Sequence, residues 1–239
     1  SILNQSIDPQ MVEVLMIDDG SEDNSLDIMK RYSEKYSNFK CYTKENGGPA
    51  QARNYGIKHA TGKYLMYLDP DDYLGKNTIE SVCNFFDRHY DEIDVVTYKI
   101  IPIKDGEEQD LHFRYEVLKS QGVYDLTEPE NSFICHTTMN TCVKNKFEKN
   151  VLFSENLFYH EDQKYNIDTL KEKQKIGYCD NAEYYYVQSS NSTTNKMLYS
   201  YYLFEHSMKL WEREFSEFSE HVPYYIQALY ISDLNWKLR

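Results

Sequence analysis

The sequence predicts an α/β fold: a mainly parallel sheet with helices on both faces. Three observations carry that expectation. Two apolar runs, "VEVLMID" (12–18) and "GKYLMYLD" (62–69), end abruptly in acid, as buried strands do where they reach a ligand edge. Between them, apolar residues recur at helical spacing. A third apolar, β-branched run, "IDVVTYKI" (93–100), follows another helical stretch. Strand and helix alternating over about 100 residues imply right-handed crossovers and a sheet covered on both faces.

Each element has its local reason. Val12–Asp18 is β-branched and apolar, and "DGSEDNS" after it is dense in turn and capping residues. Leu26, Met29, Tyr32 and Tyr36 share one helix face. "NFKCYTK" (38–44) reads as a short strand. "ENGGPAQARNYGIKHA" (45–60) opens with a Gly-Gly loop and places Pro49 in the first turn of a helix running to about Ala60. After strand 62–69, Ile79, Val82, Phe86 and Tyr90 mark a helix, followed by strand 93–100. Beyond residue 100 the pattern loosens: a polar turn at 104–110, a helix start in "LTEPENSFI", strands in "MNTCVK" (139–144) and "AEYYYVQ" (182–188), and a helix from about Tyr199 to Phe218. Both ends break a pattern. "SILNQSI" reads as the end of an amphipathic helix and "ALYISDLNWKLR" stops with its apolar spacing unfinished, so a piece of a longer protein is expected.

Composition narrows the partners. The 239-residue chain has an ordinary 41% hydrophobic content, enough for a sizeable core, and a formal net charge of −13. That charge opposes nucleic acid as a partner. An anionic nucleotide would need a cation or local arginines. Tyrosine is abundant, with 23 copies, which suits stacking on flat ligands or sugars. Five cysteines (Cys41, Cys83, Cys135, Cys142, Cys179) form no C-x-x-C pair and read as reduced thiols of a cytoplasmic protein. No apolar run approaches the roughly 20 residues that span a membrane.

Four stretches carry candidate chemistry. In "YLMYLDPDDYL" (64–74) an apolar strand runs into Asp69, Asp71 and Asp72. A D-x-D match alone is expected by chance about once in a chain this rich in aspartate. Its position beyond a strand carboxyl end, where ligands of α/β sheets bind, is what makes it informative. If the backbone stays extended, Asp69 and Asp71 face the same way, and oxygen-only ligands suit Mn²⁺ or Mg²⁺. The plainer alternative is a solvated acidic turn. In "IDDGSEDNS", Asp19 is placed to accept from a nucleobase or ribose, with helix capping by Asp18, Ser21 or Asn24 as the alternative. In "NGGPAQARN", glycines admit close ligand approach, and Arg53 is a fixed cation that could face a diphosphate. In "FYHEDQKYN", Glu161 and Asp162 are neighbours on a helix and do not share a face; both also fit a helix start, where acids meet the positive end of the dipole.

Together these stretches, in this order and spacing, resemble the family-2 glycosyltransferases of GT-A (Rossmann-like) fold, in particular bacterial members that build capsule or wall teichoic acid. The resemblance is dense over about 60 residues and reaches more thinly to about residue 190. It implies a nucleotide-sugar-binding half at 1–100, an acceptor-binding and catalytic α+β half at 101–195, and a C-terminal helical segment at 196–239 leading into further domains. It implies an inverting hexosyl- or N-acetylhexosaminyltransferase. By position, Asp19 would contact the uracil or ribose of a UDP-sugar, and Asn46 and Arg53 would line the nucleotide pocket. Asp69 and Asp71 would be the D-x-D pair, with Asp71 the more direct ligand of Mn²⁺ or Mg²⁺. Asp162 would be the base and Glu161 its competitor. His136 and His160 would contact sugars. The acceptor would be a glycan, a teichoic acid or a lipid-linked glycan, reached at the inner face of the membrane by peripheral association of the parent protein. The sequence departs from the family in lacking its opening strand, a wall of the nucleotide pocket. Two alternatives stay open here: an inactive glycan-binding domain, and a sugar-nucleotide pyrophosphorylase.

Overall fold

A computed structural model describes residues 1–110, 118, 120–132, 140–157, 160–188 and 201–237. The first strand, β1 (Val14–Asp18), pairs in parallel with β2 (Phe39–Thr43), in register from Val14 opposite Phe39 to Asp18 opposite Thr43. Helix α1 (Ser25–Lys35) connects them, and α2 (Pro49–His59) follows with Pro49 at its start, as expected. β3 (Tyr64–Met66) is shorter than the predicted 62–69. The chain turns at Pro70, where the Asp72 N–H donates to the Asp69 carbonyl (3.1 Å). Asp69 and Asp71 therefore lie in a tight turn and not on an extended strand.

The larger sheet is built around two long strands, β5 (Val95–Lys104) and β9 (Lys175–Gln188), which run parallel with a register shift after Tyr98. β8 (Thr141–Lys144) pairs antiparallel with both β3 and β5. β4 (Tyr73–Leu74), β6 (Glu107–Glu108) and β7 (Gly122–Asp125) add antiparallel edges, giving the path β3-β8-β5-β9-β4. The α/β class holds, but the sheet is mixed and not mainly parallel. β8 returns between β3 and β5 in the opposite direction, and this happens after residue 100, where the strand–helix rhythm stops. No described strand is hydrogen-bonded between β1 and β3.

Helix α3 (Thr78–Arg88) buries Ile79, Val82, Phe85 and Phe86. Gly177 of β9 makes room for it: a Cβ there would lie 2.5 Å from Phe85 Cε1 and 2.7 Å from Ile93 Cδ1. Glycine within a strand often marks such a close approach. Gly177→Ala is therefore expected to destabilise the fold by about 1–3 kcal/mol through overpacking, read as a lower urea midpoint with an unchanged slope.

The N-terminal stretch is not the end of a helix. Two single 3₁₀ turns, Ile2–Asn4 and Pro9–Met11, flank a segment that docks on the start of α3. The Gln5 amide donates to the Gly75 carbonyl (2.8 Å) and accepts from the Ile79 N–H (3.0 Å), a donor that the start of a helix leaves without an intrahelical partner.

At the other end, α4 (Glu161–Leu170) is covered by α5 (Tyr201–Ser216) and α6 (Tyr224–Lys237). Fully buried Glu214 of α5 meets Lys164 (3.2 Å) and Lys171 (3.3 Å) of the α4 segment. Trp211, Tyr225, Ile226 and Leu229 join the same hydrophobic core as β5, β9 and α3. Among the described residues no helix is long and apolar enough to cross a membrane.

Candidate active site

The site gathers where β1 and β3 end. Asp18 is the last residue of β1 and Asp19 the first beyond it, and their side chains have different partners. Asp18 is buried, accepting from the Ser21 N–H (3.1 Å) and the Thr43 hydroxyl (2.8 Å), contacts that lower its pKa. It holds the turn. Asp19 reaches across to the Gly-Gly loop, accepting from Lys44 Nζ (2.6 Å), the Gly47 N–H (3.1 Å) and the Gly48 N–H (2.7 Å). Gly48 has φ +85°, which glycine adopts without penalty, and Gly20 (φ +78°) lies against the Asn46 backbone. Asn46 itself is exposed at the loop tip.

Arg53, in the second turn of α2, does more than line a pocket. One guanidinium nitrogen donates to Asp69 Oδ1 (3.2 Å), another to Glu161 Oε1 (3.1 Å), and the group lies 5.4 Å from the centre of the Phe153 ring. Burial opposes its charge, but Asp69, Glu161 and Asp162 together hold it protonated. One cation thus ties the aspartate turn to the start of α4. Phe153 is stacked in turn on Tyr165 of α4 (3.9 Å), and Asn54 brackets the Phe153 backbone (2.9 and 2.8 Å).

The three aspartates of the turn have different surroundings. Asp69 has Arg53. Asp72 is half-buried, accepting from the Tyr184 hydroxyl (2.7 Å) and the Val187 N–H (2.8 Å), with burial pushing its pKa up to about 6. Asp71 is exposed, and its carboxylate accepts no hydrogen bond from a described residue. No group of three or more described His, Cys, Asp or Glu side chains is assembled for a metal. A pair of carboxylates fits a hard cation that keeps waters and shares a diphosphate. The donor set here suits Mn²⁺ or Mg²⁺ on that condition.

At the start of α4, Glu161 is mostly buried; burial first, then neighbouring Asp162, raises its pKa, while Arg53 opposes the rise. Asp162 accepts from the Gln163 N–H (2.8 Å) and contributes to the field on Arg53. His160 precedes them with φ +68° and a nearly buried imidazole directed at Gln163 and at Asp233 of α6. That placement does not support the expected sugar contact at His160, because little of the ring faces solvent. His136 lies outside the described residues. Reading the sequence alone missed Asn54, Phe153 and Asp233, and it gave Asp72 only as the third acid of its turn.

The scaffold that carries these acids is the GT-A fold of glycosyltransferases. Residues 1–150 match the model of glycosyl transferase family 2, and the chain belongs to that family. It is 34% identical to the minor teichoic acid biosynthesis protein GgaB of Bacillus subtilis, aligned over 100% of this chain and 27% of that protein. It is 28% identical to GgaA of the same organism, over 94% of this chain and 52% of GgaA. The chain thus spans about a quarter to a half of these relatives. Among solved structures it resembles Staphylococcus aureus TarS in complex with UDP-GlcNAc: TM-score 0.73 at 22% identity, over 98% of this chain and 65% of that one. The mannosyltransferase PcManGT of Pyrobaculum calidifontis, in complex with GDP-Man and Mn²⁺, aligns at TM-score 0.64 and 16% identity, over 98% and 64%.

Proposed function

We propose that this domain is an inverting, metal-dependent transferase moving a sugar from a UDP-sugar to a hydroxyl of a teichoic acid or related surface glycan at the cytoplasmic face of the membrane. The observation that carries it is the exposed Asp71 carboxylate, which no described residue pairs, two positions from an Asp69 that Arg53 ties to Glu161 at the start of α4. The names of GgaB and GgaA support the acceptor class, and the nucleotide in the TarS complex supports the donor.

Asp71, with Asp69 beside it, would hold Mn²⁺ or Mg²⁺ against the donor diphosphate. When bound, that ion offsets the negative charge gained by the departing diphosphate. Asp19 is held by three donors and keeps an acceptor position for a uracil N–H or ribose hydroxyl, with Asn46 beside it. Asp162 takes the proton of the acceptor hydroxyl as that oxygen attacks the anomeric carbon. The bond to UDP breaks on the opposite face, its electron pair leaving with the diphosphate, and a single displacement inverts the centre. Arg53 holds the two carboxylate-bearing segments at fixed spacing.

Calorimetric titration with UDP, GDP and CDP, with and without Mn²⁺, tests this. Manganese-dependent binding selective for UDP is expected. Binding of all three nucleotides alike, or of none, would overturn the donor assignment.

A further inference from the structure

Asp233 is a carboxylate in the core. It lies on α6 at 4% exposure, among residues that otherwise pack apolar surface. Burying a charge is costly unless it is well partnered, and a hydrophobic residue of similar size often serves stability as well or better. Its partners converge from two other helices. The Trp211 indole N–H (2.9 Å) and the Ser207 hydroxyl, both on α5, donate to Oδ2. On its other side, Oδ1 is 4.0 Å from Nδ1 of His160.

His160 is the residue from which α4 starts. Its carbonyl accepts the Lys164 N–H (3.0 Å), so it is the cap of the helix, yet its backbone sits in the left-handed region (φ +68°). A non-glycine residue there needs its surroundings to hold it. Its Nδ1 lies 2.8 Å from Oε1 of Gln163, which as an acceptor requires an Nδ1–H. Asp162 therefore sits between two clamped neighbours. Glu161 is held by Arg53 from the nucleotide side, and Gln163 by His160 from the side of the C-terminal helices.

We propose that Asp233 is a positioning residue of the transfer reaction: acting through His160, it fixes the first turn of α4 and so the aim of the Asp162 carboxylate. The proposal rests on the role given to Asp162 above. It also assigns α5 and α6 a part in the reaction, although no described side chain of either helix lies beside Arg53, Asp69 or Glu161. A base misplaced by an ångström loses rate without losing donor affinity.

Asp233→Asn keeps an oxygen for Trp211 and Ser207 and removes the charge facing His160. We expect kcat to fall about 10- to 100-fold, with UDP affinity and the thermal midpoint close to wild type. His160→Asn, which suits the left-handed backbone, should fall similarly, and the double variant should be no worse than either single one. Hydrogen exchange supplies a readout independent of turnover. In Asp233→Asn the first-turn amide of Lys164 should exchange about tenfold faster while amides within α5 and α6 keep their protection. Unchanged kcat and unchanged Lys164 exchange would overturn the proposal, as would additive effects or a loss of activity that follows the thermal midpoint. If the wild-type chain binds no UDP, the donor assignment fails, and the Lys164 exchange result still decides whether Asp233 fixes α4.

Discussion

Asp162→Asn is expected to lower kcat by about 10³-fold while leaving manganese-dependent UDP binding intact. Asparagine has the same shape and can still accept the Gln163 N–H that now bonds Asp162 Oδ1 at 2.8 Å, so the start of α4 should survive. What it cannot do is take the proton of the acceptor hydroxyl. General-base catalysis contributes typically 10²–10⁴-fold, and a 10³-fold loss corresponds to about 4 kcal/mol of barrier. Glu161→Gln is the control. Glu161 already spends its carboxylate on Arg53 at 3.1 Å, so its loss should loosen the link between α2 and α4 and appear in stability and donor affinity as much as in kcat. Single-turnover kinetics of both variants distinguishes the roles. Near-normal transfer by Asp162→Asn together with a dead Glu161→Gln would exchange them.

Much of the first hundred residues could be read locally. β1, α1, β2, α2 and α3 fall where apolar periodicity, Pro49 and the turn residues put them. Local pattern failed where the outcome depended on distant chain. The run Leu65–Asp69 looks like continuous strand, but it stops at Met66 because the 69–72 turn closes on itself and is held by Tyr184 and Val187, more than a hundred positions on. Ile2 and Leu3 mimic a helix face, yet their segment serves to cap α3 through Gln5. The direction of β8 has no local signature, and it is what makes the sheet mixed. In the site, motif order picked out Arg53, Asp69 and Glu161, but their mutual pairing, which turns Arg53 inward, comes from the fold. Asp233 carried no signal at all. A single acid in an apolar helix reads as surface until its neighbours Trp211, Ser207 and His160 are known.

Asp71→Ala is expected to weaken UDP binding in the presence of Mn²⁺ by about 100-fold, or roughly 2.7 kcal/mol, and to leave the thermal midpoint unchanged. The reason lies in how the three adjacent acids avoid mutual repulsion. Asp69 is neutralised by Arg53, and Asp72 is shielded by two hydrogen bonds and a pKa raised by burial. Asp71 has neither among the described residues and is exposed, so alanine should cost the folded state little. The same substitution at its neighbours should read differently. Asp69→Ala frees a buried guanidinium from one of its two carboxylates, so stability and binding should fall together. Asp72→Ala strands the Tyr184 hydroxyl and the Val187 N–H, a loss on the order of 1–3 kcal/mol per unsatisfied group, and should act on stability first. Measuring UDP affinity with and without Mn²⁺ beside the thermal midpoint for all three variants separates them. If Asp71→Ala binds UDP as the wild type does, with the same dependence on Mn²⁺, the exposed carboxylate is a surface charge and the cation must be held elsewhere. If only Asp71→Ala loses the manganese dependence at full stability, the turn divides its labour: two acids are held by the fold and the third is left for the ion and its diphosphate.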